Sequence, residues 1–279
     1  APAGKRMSQT ERVITAAFRP DGKRLATTTW KEARLWDAES GEPVGRAMPH
    51  GIGTMRLVFS PNSRDLYWTD HERLNRWDAE TGEPVGKPSE AAVDGLVFSP
   101  NGDSVLYYVG GGCVLYDRTA KETRAKSLPA MAGLHGDGFS PDSSRFFLIG
   151  PGRSQAPAVR LFDSRTGRQV GEDMFQAVNA WASFSSDGRL LMTLGCDGIR
   201  WWDATTGEPI GILRRGYFGS AWVAPAGRVA LVVGTKTIRF LDLSDLLAPA
   251  DPERLRSEVR TATGYRLDDR GRPVPLPVN

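Results

Sequence analysis

The sequence predicts an all-β chain built from repeated four-stranded antiparallel sheets, and three observations carry that expectation. A turn of the form Phe-Ser-Pro-Asp-Gly recurs, beginning at Phe18, Phe59, Phe98, Phe139 and Phe184, with a degraded sixth copy at Val223-Ala224-Pro225-Ala226-Gly227. Each turn is followed 18–23 residues later by a large apolar residue and then Asp: Trp36-Asp37, Trp77-Asp78, Tyr116-Asp117, Phe162-Asp163, Trp202-Asp203 and Leu241-Asp242. Successive turns lie 41, 39, 41, 45 and 39 residues apart. A period near forty marks repeated supersecondary units that bury their apolar faces on their neighbours.

Residues 41–78 show how one period is built. Gly41-Glu42-Pro43-Val44-Gly45 opens a short extended segment, and Thr54-Met55-Arg56-Leu57-Val58-Phe59 follows as an apolar strand. Ser60-Pro61-Asn62-Ser63 is a turn, because Pro presets φ and Asn bends the chain through its own backbone hydrogen bond. Leu66-Tyr67-Trp68-Thr69 and Leu74-Asn75-Arg76-Trp77-Asp78 are the next strands, and Ala79-Glu80-Thr81-Gly82 reverses the chain, with Gly82 suited to positive φ. Short strands with turn signals between them make an antiparallel meander. No amphipathic helical pattern interrupts residues 1–243. One such sheet cannot bury both faces alone. A radial arrangement covers them and leaves only short edges, so the expected fold is a six-bladed β-propeller of four-stranded antiparallel sheets. The aromatic before each recurring Asp is expected between sheets, and the Asp at the start of the reversing turn.

Ala1 lies 17 residues before Phe18, as Glu42 lies 17 before Phe59, so Ala1-Pro2-Ala3-Gly4 matches Glu42-Pro43-Val44-Gly45. The first residues then form an outer strand, and Lys236 to Leu241 a third strand that lacks one. Residues 1–7 are expected to complete the last sheet and close six blades. Two rivals stay open: Gly271-Arg272-Pro273-Val274 echoes the same outer-strand phrase, and the chain would also fit as part of a seven-bladed ring. The propeller is expected over 1–243 and a tail over 244–279. Asp251-Pro252-Glu253 reads as the start of a helix running to about Ala262, followed by a small hairpin or strap around Tyr265-Arg266-Leu267 and Pro273-Val274-Pro275.

The totals narrow the function classes. Net charge is +3 from 36 basic and 33 acidic residues, and no basic stripe is legible, so nucleic acid is not an expected partner. Cys113 and Cys196 fall in different repeats and make neither a disulfide framework nor a metal knuckle, which fits a cytoplasmic setting. No stretch reaches the ~20 apolar residues of a membrane helix, so membrane insertion is not expected. Gly110-Gly111-Gly112 lacks the Lys and helix of a phosphate loop and reads as a hairpin turn. The three histidines, His50, His71 and His135, show no metal-ligand spacing, and no Gly-x-Ser-x-Gly elbow occurs. Neither cofactor nor metal is therefore expected, and no catalytic residue is assigned.

The Trp-Asp pairs at 36–37, 77–78 and 202–203, the Asp-x-x-Thr-Gly turns at 78–82, 163–167 and 203–207, and the Phe-Ser-Pro turns together resemble the WD-repeat propellers over about residues 1–243. The resemblance implies, at most once, the family's hydrogen-bonded tetrad, from His50, Thr69, Asp70 and Trp77; the other blades are expected to hold together by packing. The phrase Thr-Gly-Tyr-Arg-Leu-Asp-Asp-Arg-Gly-Arg-Pro-Val-Pro-Leu at 263–276 resembles the end of large bacterial WD-repeat proteins, some of which carry a serine/threonine kinase domain upstream. It implies that the chain belongs to a larger signalling polypeptide.

A meander puts the Phe-Ser-Pro and Asp-x-x-Thr-Gly turns at one end of every sheet and two unlike kinds of loop at the other. The uniform end reads as architecture, and the divergent end as the place where binding residues sit on a rigid scaffold. The leading expectation is a non-enzymatic, monomeric scaffold that binds a protein or peptide there. Its candidate residues are Trp30 and Lys31, His71 and Arg73, Arg153, and the group Arg214, Arg215, Tyr217 and Phe218, where cations adjoin aromatics as in interface hot spots. Each aromatic also fits a packed strand position, and the loop around Arg153 also fits a plain insertion. The alternative is a small-ligand-binding or hydrolytic propeller with its site at the central channel mouth.

Overall fold

The computed structural model describes residues 7–9, 11–49, 57–69, 73–89, 92–129, 138–151, 157–175, 181–195, 198–215, 218–223, 229–234, 238–242, 265–267 and 273–275. The chain divides into two compact units, Ala1–Phe218 and Gly219–Asn279. All described regular structure is β, and every sheet is an antiparallel meander.

Five sheets succeed one another through the first unit. The first contains β1 (Thr15–Phe18), β2 (Arg24–Thr28), β3 (Glu32–Asp37) and β4 (Pro43–Pro49). The second contains β5 (Leu57–Phe59), β6 (Asp65–Thr69) and β7 (Leu74–Asp78). The third contains β8 (Gly95–Phe98), β9 (Ser104–Val109), β10 (Gly112–Asp117) and β11 (Glu122–Pro129). The fourth contains β12 (Gly138–Phe139), β13 (Arg145–Pro151), β14 (Pro157–Asp163) and β15 (Gln169–Phe175). The fifth contains β16 (Trp181–Phe184), β17 (Leu190–Gly195), β18 (Gly198–Asp203) and β19 (Pro209–Arg215). A sixth, three-stranded repeat follows as β20 (Phe218–Val223), β21 (Val229–Gly234) and β22 (Ile238–Asp242). In the second unit β23 (Tyr265–Leu267) pairs with β24 (Pro273–Pro275), which is the expected hairpin. Among the described residues β24 pairs with β23 and not with β22. Residues 1–6, the expected tail helix and the 243/244 boundary lie outside the described residues.

The recurring turns are held by recurring side chains. In the second to fifth sheets the hydroxyl of Ser60, Ser99, Ser140 or Ser185 donates to the Asn or Asp two residues on, at 2.6–2.7 Å. The same hydroxyl accepts the N–H five residues on at 2.9 Å. At the other turn Asp37, Asp78, Asp117 and Asp203 each accept the N–H groups two and three residues ahead. At Asp37, Asp78 and Asp117 these bonds favour the charged form of the carboxyl. Asp78 lies below its ordinary value through the N–H of Thr81 and then of Glu80, and Asp117 through Ala120 and then Thr119.

The sheets pack face to face. Leu35, Ala33 and Ala26 of the first meet Phe59, Leu66 and Trp77 of the second. Leu106, Cys113 and Leu115 of the third meet Phe146, Phe162 and the partly buried Phe139 of the fourth. Phe147, Val159 and Leu161 of the fourth meet Ala182, Leu191 and Phe184 of the fifth. The Phe-Ser-Pro phenylalanine thus lies on the preceding sheet in each of these three pairs. Trp36, Trp77 and Phe162 are buried as expected, and Phe162 stacks on Phe146 at 5.0 Å. Burying a large apolar side chain is worth about 1.5–3 kcal/mol, so these seams dominate the stabilisation.

Glycines bring the sheets closer than side chains would allow. Outer strand β4 bulges between Val44 and Met48, where Gly45 has φ +65°. A Cβ on Gly45 would lie 2.5 Å from the carbonyl oxygen of Thr81 and 3.0 Å from Gly82 Cα in the next sheet. Gly171 repeats the contact, with Gly207 Cα and the Thr206 oxygen at 2.9 Å. The second sheet departs from the pattern. Its outer segment meets β7 through a single bridge, Trp77 with Pro84, and hydrogen bonds from Val85 to Arg76 and from Ser89 to Leu74.

The expected tetrad is corrected in part. Thr69 donates at 3.4 Å to the Asp94 carbonyl, and Trp68, not a hydroxyl residue, stands nine positions before Trp77. Sheets one and five instead bridge β2 to β3 and β17 to β18 through an indole, Trp36 to Thr27 and Trp202 to Thr193, both at 2.8 Å. His50 and Asp70 lie outside the described residues.

Candidate functional site

The β2–β3 connection sits at the divergent end of the first sheet. Its anchor is Thr29, 1% exposed, whose hydroxyl accepts the N–H groups of Lys31 and Glu32. The Thr29 N–H in turn donates to the Glu32 carbonyl at 2.9 Å. With both ends clamped, Trp30 projects from a fixed loop and is 50% exposed. Trp30 is thus a half-exposed loop residue and not a packed strand residue. Lys31 reaches Glu11 at 2.5 Å, and that hydrogen bond raises its pKa above the ordinary lysine value.

Of the other expected residues, Arg73 is exposed in the β6–β7 connection. Arg214 and Arg215 were expected in a loop but are the last two residues of β19, paired with Ile199 and Gly198, because the outer strand continues further than its polar sequence suggested. Phe218 opens β20. His71, Arg153 and Tyr217 lie outside the described residues. The structure therefore brings together Trp30 and Lys31, with Arg73 on the equivalent connection of the next sheet.

Two clefts flank the junction of the first and second sheets. One, of about 550 Å³, lies at the uniform end and is lined by Arg19, Asp21, Arg64, Asp65, Arg76 and Glu80. Arg19 stands where the next four turns have Ser, and it is buried with its guanidinium donating to Asp21, to the Ala79 carbonyl at 3.0 Å and to Glu80 at 2.7 Å. Arg24 joins the same Glu80 to Asp37. The sequence reading treated this end as uniform; the Ser-to-Arg exchange at position 19 was the signal that it is not.

The second cleft, of about 410 Å³, runs between β4 and the segment 84–88. Trp68 and Trp77, 3% and 8% exposed, form its floor, with Asn75 between them on β7. Arg46 and Lys87 stand on its rim, and Pro49, Pro84 and Pro88 line its walls. Arg76 contributes one side, its charge taken up by a two-pronged pair with Asp65 at 2.9 and 3.1 Å. Arg46 approaches Glu83 only at 3.7 Å. Sequence reasoning passed over this cleft because its residues are scattered through 46–88. The legible trace was Gly86-Lys87-Pro88, which puts a proline two residues after the outer-strand glycine, where the first, fourth and fifth repeats have Ala47, Asp173 and Leu213.

No known protein family and no curated protein sequence matches the chain. Among solved structures, hydrazine synthase of Kuenenia stuttgartiensis is similar with a TM-score of 0.59 and 17% identity, over 93% of this chain and 85% of that one. That likeness, with the repeated antiparallel sheets, shows a propeller-type fold. The fold is shared with 1266 matching chains and so does not decide function. Among the described residues no group of three His, Cys, Asp or Glu is placed to hold a metal, and no helix is long and apolar enough to cross a membrane.

Proposed function

We propose that this chain is a WD-repeat scaffold, a non-catalytic propeller that binds a protein or peptide through the divergent loop end of its sheets. The observation that carries the reading is Trp30, half exposed on a loop clamped by Thr29 and set beside the cation of Lys31. A rigid aromatic next to a charge loses little entropy on binding and supplies a large contact area, the composition of an interface hot spot. The Trp-Asp and Asp-x-x-Thr-Gly repeats, with their hydrogen-bonded Asp turns, support the WD-repeat assignment. The sequence of 263–276 supports a place within a larger bacterial signalling protein, working in the cytoplasm as a monomeric module.

The test is cross-linking of the purified chain in lysate, with wild type and Trp30→Ala compared by mass spectrometry. Loss of specific cross-linked partners from the variant is expected, without change in its melting curve. Identical partner sets would overturn the assignment of the loop. Turnover of a small molecule by the pure chain would favour a ligand-processing propeller instead.

A further inference from the structure

We propose that the cleft between the first two sheets is a docking site for an acidic, apolar-flanked peptide segment of a partner. The inference rests on the scaffold reading and adds a second site, on the flank of the sheets rather than at their loop end.

Three features define the occupant. The floor is aromatic, Trp68 and Trp77, and accepts apolar side chains. The charged side chains that line the cleft, Arg46, Arg76 and Lys87, are all cationic. Asp65 compensates Arg76, whereas Lys87 makes no ion pair among the described residues and Arg46 has only a distant partner. Asn75 adds a third element. Its Nδ2 is buried and has no hydrogen-bond acceptor among the described residues, a state that loses the amide's hydration without replacement. An entering carboxylate supplies that acceptor and meets the rim charges together. At about 410 Å³ the cleft is within the ~300–1,000 Å³ range of ligand sites.

The walls also exclude a competing mode. Pro84 and Pro88 lack N–H groups, so the outer edge of this segment is a poor template for an added strand. Recognition therefore runs through side chains, with the carboxylate directed at Asn75 and Lys87 and apolar neighbours over the indoles.

The probes are fluorescein-labelled, C-terminally amidated Leu-Glu-Leu-Asp and its uncharged counterpart Leu-Gln-Leu-Asn, titrated by anisotropy with the full chain. The acidic peptide is expected to bind at least about tenfold tighter, equivalent to about 1.4 kcal/mol, and to weaken as salt rises. Arg46→Glu with Lys87→Glu should remove that preference. Asn75→Leu should weaken binding without lowering the melting temperature, because it deletes an unsatisfied donor. Lys31→Glu, on the Trp30 loop, should leave peptide affinity unchanged. Equal binding of both peptides, no binding of either, or indifference to the rim variants overturns the proposal. If the Trp30→Ala cross-linking test succeeds while this titration fails, the cleft is rejected and the scaffold reading stands. If both fail, both are rejected.

Discussion

Replacing Gly45 with alanine is expected to destabilise the chain far more than the same change at Gly86, although the two glycines hold equivalent places in successive repeats. Both have positive φ, +65° and +75°, so both variants incur the about 1–2 kcal/mol that a Cβ costs in the left-handed region. Both also change the unfolded chain alike, and that contribution cancels in the comparison. What differs is the space. The new Cβ at 45 would lie 2.5 Å from a backbone oxygen and 3.0 Å from a backbone carbon of the next sheet, whereas at 86 nothing lies within 4 Å. Backbone cannot rotate out of the way as a side chain does, so the sheets must part, and overpacking of this kind costs about 1–3 kcal/mol. Position 45 should therefore lose about 1–3 kcal/mol more than position 86. At about 2–4 °C per kcal/mol for a chain of this size, the melting temperatures should differ by about 2–12 °C. Circular dichroism melts of the two variants, with Gly171→Ala as a second crowded site, measure this directly. Equal losses at 45 and 86 would refute the idea that glycine-to-glycine contact sets the spacing of these sheets.

Thr193→Val leaves the Trp202 indole N–H without the hydroxyl that now accepts it at 2.8 Å, and should cost about 1–3 kcal/mol in urea unfolding. Pairing it with Trp202→Phe should show strong coupling; additive losses would mean the bond contributes nothing. Asp78→Asn keeps an acceptor for Thr81 and Glu80 but removes the charge. Because the folded carboxyl is held below its unfolded value, its stabilisation is full above about pH 4 and is lost as pH falls through the folded value. The variant should accordingly be weaker at neutral pH and converge on wild type in acid, and a pH-independent gap would contradict this. Trp30→Ala should change the unfolding free energy by less than about 0.5 kcal/mol, as surface changes do; a larger loss would make Trp30 a packing residue after all.

The repeat was legible because its signals are local. A Ser-Pro-Asn-Ser turn and an Asp two residues before a reversal satisfy their own backbone, so their sequence states their structure. Strand limits at 74–78 and the glycine hairpin at 110–111 follow from the same short-range chemistry. The clefts were not legible, because they arise between sheets, from residues as far apart as Arg19 and Glu80, 61 positions from each other. The extent of β19 was hidden for a related reason: pairing with β18 carries Arg214 and Arg215 into the ladder, and no local turn signal opposes it.

The departures from the repeat cluster on the second sheet and its two seams. Arg19 replaces a turn serine and ties the first sheet to Glu80 of the second. Pro88 lies in the outer segment of the second sheet, which meets β7 through one bridge and two hydrogen bonds, from Val85 and Ser89. Lys121 stands where other repeats have the turn glycine, so Gly86 meets nothing where Gly45 and Gly171 meet the next sheet. Each exchange gives up a packing device that neighbouring repeats use. Arg19 offsets part of that loss by bridging the sheets with charge-assisted bonds, which are roughly twice as strong as neutral ones. A cation-lined cleft, between β4 and 84–88, then stands beside this irregular outer segment. A scaffold made of identical sheets has no preferred place for a partner. Breaking the repeat beside the second sheet, where a buried arginine braces it against the first, leaves open the cleft that the proposed peptide would occupy.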